Sequence, residues 1–158
     1  MINIHEKFMR RAIELARSGM DGGAGGPFGC IVVKDGEIVG EGNNQVTSTN
    51  DPTAHAEVVA IREACRSLET FQLEGCEIYT SCEPCPMCLG AIYWARPAAI
   101  YFAGTQADAA EAGFDDEHFY TQLALANAER ELPLQNLLRN EARRVFSEWI
   151  AKPDKVEY

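Results

Sequence analysis

The sequence predicts an α/β fold, a three-layer α/β/α sandwich around a mixed sheet. Three observations predict it. Residues 77–103 read as strand, short helix, strand, a βαβ unit that imposes parallel pairing. The Asp35-Gly36 dipeptide, between two β-rich runs, marks an antiparallel hairpin ahead of that unit. Amphipathic helical stretches precede and separate these strands, supplying the outer layers.

The elements follow in chain order. Phe8, Ala12 and Leu15/Ala16 recur at helical spacing, with Asn3 and Glu6 as a capping box and Gly19 as the C-terminal stop. From Gly19 to Gly29, six glycines among eleven residues make a loop. No Gly-Lys-Ser/Thr follows, so it is a helix-to-strand connection rather than a phosphate loop, one able to bring Phe28 near a ligand. Cys30–Lys34 and Glu37–Val39 are the hairpin strands, and Asn43 to Thr53 is a polar loop. Asp51-Pro52 opens a helix with Val58, Ile61, Cys65 and Leu68 on one face. Glu77–Thr80 is a strand, Pro86 starts a helix that ends before Pro97, and Ala99–Ala103 is the next strand. From about Glu117 the chain alternates helical and apolar pieces and ends in Val156-Glu157-Tyr158.

Composition bounds the function. A chain of 158 residues reads as a single domain, 1–158, able to bury a core without disulfides. Its 46% apolar content argues against disorder. Lys plus Arg number 14 and Asp plus Glu 24, a net charge of −10. That balance argues against a broad grip on a polynucleotide or an anionic membrane. The first eleven residues lack the apolar stretch of a signal peptide, and the longest apolar runs, Leu89–Ala95 and Ala98–Ala103, are far too short to span a bilayer. The expectation is a soluble, cytoplasmic protein. Its six cysteines are then thiols or metal ligands rather than disulfides.

Two short motifs carry chemistry: His55-Ala56-Glu57 and Pro84-Cys85-Pro86-Met87-Cys88. A catalytic zinc site uses three nitrogen or sulfur ligands and leaves one position to water, and His55, Cys85 and Cys88 supply such a set. Both motifs fall in the first turn of a predicted helix. Side chains there lean toward the N-terminus and reach a metal lying off that end, where the helix also favours thiolate over thiol. Two other readings stay open. Cys-x-x-Cys inside a βαβ unit is also a redox pattern. Cys82, three residues before Cys85, would complete a closed, inert Cys3His site. Glu57 beside the ligand histidine favours catalysis, because a structural site has no use for a carboxylate there.

His-x-Glu with Pro-Cys-x-x-Cys is the signature of zinc-dependent base deaminases. The chain resembles the cytidine-deaminase superfamily, and within it the small bacterial guanine deaminases. The resemblance runs through Gly26-Pro27-Phe28-Gly29, Asn43-Asn44 and Asp51-Pro52-Thr53-Ala54-His55-Ala56-Glu57. It continues through the stretch from Thr80 to Pro97, then Ala112-Gly113-Phe114-Asp115-Asp116 and the terminal Glu157-Tyr158. It implies a cytidine-deaminase-like fold with a five-stranded sheet. It implies one zinc per chain on His55, Cys85 and Cys88, with Glu57 as proton shuttle and Asp116 as a second catalytic group. Substrate contacts fall to Asn44 and Ala56, with Phe28, Trp94 and Tyr158 enclosing the base. It further implies a homodimer with exchanged C-terminal segments.

The activity so implied is hydrolysis of guanine to xanthine and ammonia by a zinc-activated water. The partner is a small purine base, not a polynucleotide or a membrane. Rival readings are a tRNA adenosine deaminase, another nucleobase or aminotriazine deaminase, and the structural zinc module. Charge weighs against tRNA: residues 97–128 hold no Lys or Arg and five acids, where a protein clamping an anticodon stem needs cations.

Overall fold

The computed structural model describes residues 3–158, and their contacts divide the chain into two compact units, Met1–Tyr120 and Thr121–Tyr158. The first unit holds the sheet. Its elements are α1 (Ile4–Asp21), β1 (Gly29–Lys34), β2 (Glu37–Asn43), α2 (Val46–Thr49), α3 (Ala56–Ser67), β3 (Cys76–Cys82), α4 (Pro86–Ala95), β4 (Ala99–Gly104) and α5 (Gln106–Glu111). Strand order is β2-β1-β3-β4; β1 runs antiparallel to both neighbours, and β3 and β4 are parallel.

Alternation along the strands splits the core in two. Ile31, Val33 and Tyr79 point to one face and bury Phe8 and Ala12 of α1. Cys30, Val32 and Ile78 point to the other and bury Ala56, Ala60 and Ala64 of α3 with Ile92 and Ala95 of α4. The expected three layers are therefore present: α1, the sheet, then α3 with α4. The α3 face is built of alanines because β2 comes very close. A Cβ on Gly42 would lie 2.3 Å from the Ala56 carbonyl and 2.6 Å from the Ala60 nitrogen. This small-residue seam draws the start of α3 down onto the sheet.

The mixed sheet has four strands among the described residues, not five. The four are those that residue patterns placed. After β4 the chain gives α5 and then α6 (Asp116–Ala124), which crosses into the second unit. The second unit continues with a 3-10 turn at Asn127–Glu129 and α7 (Arg139–Ala151). Neither 131–138, interrupted by Pro133, nor the terminal Val156-Glu157-Tyr158 forms a strand. Prolines lack the N–H a ladder needs. On α7, Val145, Phe146, Trp149 and Ile150 recur at helical spacing and are all exposed.

Local expectations are also corrected. α1 does not stop at Gly19 but runs to Asp21, with Gly22 as its cap. Gly19 serves packing instead: a Cβ there would meet the Asn43 amide at 2.3 Å. Asn3 does cap α1, accepting from the His5 N–H at 3.0 Å, while Glu6 pairs with Arg10 rather than closing a box. Asp51 does not open α3; its carboxylate accepts from Thr53, and the helix begins at Ala56. The polar loop 43–53 contains the short α2.

Arg11 ties α1 to β2 through two parallel bonds to Glu41, Nε to Oε1 and Nη2 to Oε2, each 2.8 Å. This pairing holds the Glu41 carboxyl below its ordinary range. A depressed carboxyl contributes stability above its unfolded pKa of about 4.3 and loses it as pH falls through the lower folded value. Both side chains are partly exposed, so Arg11→Met is expected to cost no more than about 1 kcal/mol, or about 2–4 °C in Tm. Thermal unfolding checks this: the difference between variant and wild type shrinks from pH 7 to pH 3.

Candidate active site

Two helix N-termini meet near one end of the sheet. His55 is the N-cap of α3, and Cys85 is the N-cap of α4, with Pro86 in its first turn. Cys88 lies one turn into α4 and is fully buried. His55 Nδ1 stands 3.6 Å from Cys85 Sγ and 3.4 Å from Cys88 Sγ, and the three donor atoms lie within 4.8 Å of one another.

The donor set fits zinc. With Zn–N near 2.0–2.1 Å and Zn–S near 2.3 Å at a tetrahedral angle, nitrogen and sulfur should stand about 3.5 Å apart. Both observed N···S distances agree with that spacing. Electrostatics prepares the ligands. A hydrogen bond from Cys88, and then His55, hold the Cys85 thiol well below its usual range despite burial. Cys88 is raised correspondingly, so Cys85 gives up the first proton of the pair. Contact with Cys85 raises His55 against the opposing effect of burial.

Cys82 does not join the cluster. Its thiol donates to the Thr105 carbonyl at 3.6 Å, and burial, with Asp116 and Glu57 nearby, pushes its pKa up to about 11. Turned to a carbonyl and outside the donor triangle, it is not placed to join the other three donors. The closed Cys3His reading loses its fourth member.

Glu57, in the first turn of α3, is buried and accepts from Thr80 Oγ1 at 2.9 Å through its Oε1. Burial raises its carboxyl above the ordinary value, with hydrogen bonds from its own backbone, Thr80 and Cys88 opposing. A carboxyl poised upward by burial and held in place by hydrogen bonds is suited to carry a proton both ways. Sequence reasoning missed Thr80. No local signal singles it out, since the strand Cys76–Cys82 also carries Glu77 and Ser81.

These groups open onto a cavity of about 200 Å³, lined on its walls by Phe28, Asn44, Phe114 and Asp116 beside His55, Glu57 and Cys85. That volume is below the ~300–1,000 Å³ of sites for drug-sized ligands and suits a single planar base. Asn44 is buried, and its Oδ1 accepts from the N–H groups of Gly26 and Val46 at 3.2 and 3.1 Å. Its amide nitrogen alone is left for a ligand, so Asn44 can only donate. The glycine-rich loop makes this possible: a Cβ on Gly25 would fall 2.3 Å from Asn44 Oδ1.

Phe28 meets Phe114 edge to face at 4.7 Å. Phe114 is a second wall that the sequence reading quoted in a motif but gave no role. Asp116 opens α6; partial burial and the neighbouring Cys85 raise its carboxyl, with His55 opposing. Ala56 begins α3 between His55 and Glu57 and is fully buried. Trp94 is not among the residues lining the cavity. It is exposed, nine positions beyond Cys85 and so roughly 13 Å along the axis of α4. Tyr158 belongs to the second unit and is exposed.

Comparison with known proteins follows the same lines. The family model for the cytidine and deoxycytidylate deaminase zinc-binding region matches residues 2–104. Guanine deaminase from Bacillus subtilis (strain 168) is 53% identical over 154 residues, covering 98% of this chain and 99% of that protein. The X-ray structure of guanine deaminase from Bacillus subtilis superposes with a TM-score of 0.95 over 99% of each chain. A tRNA-specific adenosine deaminase from Aquifex aeolicus (strain VF5) is 45% identical over 98 residues, 62% of this chain and 64% of that protein.

Proposed function

The chain belongs to the cytidine and deoxycytidylate deaminase zinc-binding family, and on that premise we propose that it hydrolyses the free base guanine to xanthine and ammonia. The observation that carries this reading is the convergence of His55, Cys85 and Cys88 beside a buried Glu57 in a base-sized cavity. The near full-length likeness to a guanine deaminase selects guanine among the bases. His55, Cys85 and Cys88 hold the zinc, one per chain. Zinc supplies a Lewis acid that makes water nucleophilic near neutral pH.

The chain's own residues supply the rest. Glu57 accepts a proton from the attacking water and delivers it to N3 of guanine as the C–O bond forms at C2. The C2–N2 bond then breaks as the new C2 hydroxyl gives up its proton, which passes through Glu57 to the amine; ammonia leaves and C2 becomes the carbonyl of xanthine. Thr80 orients the Glu57 carboxyl for this transfer through its bond to Oε1. Asn44, able only to donate, matches an acceptor on the purine edge, and the Asp116 carboxylate accepts from an N–H. The backbone at Ala56 and the rings of Phe28 and Phe114 hold the base in plane. Ammonia release from guanine, adenine, cytidine and tRNA by the purified protein tests the reading. Guanine is expected to be the fastest; tRNA deaminated far faster than guanine overturns it in favour of tRNA editing.

The reading extends to a cytoplasmic homodimer with exchanged C-terminal segments. The exposed apolar stripe of α7 is surface that a partner would cover, and exposed Trp94 and Tyr158 then enclose the base only in the assembled dimer. No helix among the described residues is long and apolar enough to cross a membrane. Val156 and Tyr158, two apart after Pro153, give the tail an aromatic cover for a flat base. Deleting residues 155–158 is expected to leave zinc content and Tm unchanged and to lower kcat/KM for guanine at least ~10-fold, about 1.4 kcal/mol. Steady-state kinetics checks it, and unchanged kcat/KM would make Tyr158 an ordinary terminus.

A further inference from the structure

Tyr120 lies outside the residues that line the cavity, and no role in the chemistry falls to it so far. Its hydroxyl donates to the Pro84 carbonyl at 2.6 Å. Pro84 directly precedes the ligand Cys85. The loop bearing that carbonyl is anchored from its other side. The Glu83 N–H donates to the Gly104 carbonyl at 2.7 Å, and Glu83 Oε2 accepts from the Gln106 N–H at 2.9 Å. The Cys82 thiol adds its bond to Thr105. The Pro84 carbonyl is therefore a fixed post.

Helix α6 is placed differently. It buries none of its residues. It follows Gly113, whose φ of 91° lies in the region that favours glycine. With no residue buried in it, directed contacts carry much of its placement, the Tyr120 bond among them. Phe114 against Phe28 fixes the chain just before the helix. Asp116 opens the helix, and Tyr120 follows four residues later. Residues four apart share a helix face. One turn of α6 thus presents two groups toward the metal loop: a carboxyl on the cavity wall and a phenol that grips the loop.

We propose that Tyr120 is a positioning residue, whose hydrogen bond to Pro84 fixes the first turn of α6 and thereby aims the Asp116 carboxylate at the base. The proposal rests on the guanine reading for its substrate. Tyr120→Phe removes one oxygen and keeps the ring. It is expected to lower kcat/KM for guanine about three- to tenfold, the range a single net hydrogen bond commands, with the loss in KM and kcat little changed. Zinc content and Tm stay at wild-type values.

In an Asp116→Asn background the same change is expected to cost less than about twofold, because the two residues act as one unit. Hydrogen exchange of the amides of residues 116–124 is expected to quicken at least about fivefold in Tyr120→Phe, with α3 and α4 unchanged. Losses that simply add in the double variant, or unchanged exchange across α6, overturn the proposal. If the wild type does not deaminate guanine, the functional reading fails by itself, and the exchange measurement, which needs no substrate, still decides the role of Tyr120.

Discussion

Glu57→Gln is expected to lower kcat for guanine by ~10²–10⁴-fold, the usual contribution of a positioned acid/base, while one zinc per chain stays bound. The swap is nearly isosteric. The amide oxygen still accepts from Thr80 Oγ1, now at 2.9 Å from the carboxylate, so the side chain keeps its place. What disappears is basicity: an amide neither takes a proton from water nor returns one to a ring nitrogen. The effect should fall on kcat, because Glu57 acts on protons that move in the transition state rather than on the bound base. Stability should not fall. Burial disfavours the Glu57 carboxylate, and a neutral amide escapes that cost. Rapid kinetics, metal analysis and thermal unfolding on one preparation check all three statements. Near-normal turnover would mean that some other group moves the proton.

The same residues show how much the sequence exposes and where it stops. The candidate zinc cluster is legible because coordination chemistry demands rare residue types at fixed spacing, and Pro86 marks the helix start at Cys85, whereas the Asp51-Pro52 signal misplaces the N-cap position of His55. The four strands are legible from the hairpin dipeptide and the βαβ spacing. The fifth strand came only from resemblance, and the sheet lacks it among the described residues.

Thr80, Phe114 and Tyr120 were not legible, because each acts through a partner 23 to 86 positions away: Thr80 through Glu57, Phe114 through Phe28, Tyr120 through Pro84. A single hydroxyl or ring has no periodic signature. The Gly19 misreading has a related cause: a glycine needed for close approach looks like a glycine needed for a cap until its neighbour, Asn43, is known. Trp94 shows where spacing along one chain stops informing, since its contact with the base is proposed only across a dimer. A motif places it beside the ligands in sequence, but the rise of α4 carries it away from the cavity within one chain.

Metal retention should separate the cysteines sharply. Cys88→Ser is expected to lower zinc affinity by more than ~100-fold, since even the partners that orient metal ligands are typically worth ~10–100-fold. Cys82→Ser is expected to keep one zinc per chain. The reasons are geometric. Cys88 Sγ lies 3.4 Å from His55 Nδ1 inside the donor triangle, and a serine hydroxyl there is a harder, more basic group that zinc does not ionise as it does a thiol. Cys82 spends its proton on the Thr105 carbonyl, and serine can make that same bond. X-ray absorption of the wild type should count two sulfur ligands, with the remaining ligands nitrogen or oxygen. Three sulfurs, or zinc lost from Cys82→Ser, would place Cys82 on the metal and close the coordination sphere. Such a site has no position left for water, and hydrolysis could not be its chemistry. Two sulfurs with zinc retained in Cys82→Ser leave one position open, on the side where Glu57 faces the cavity.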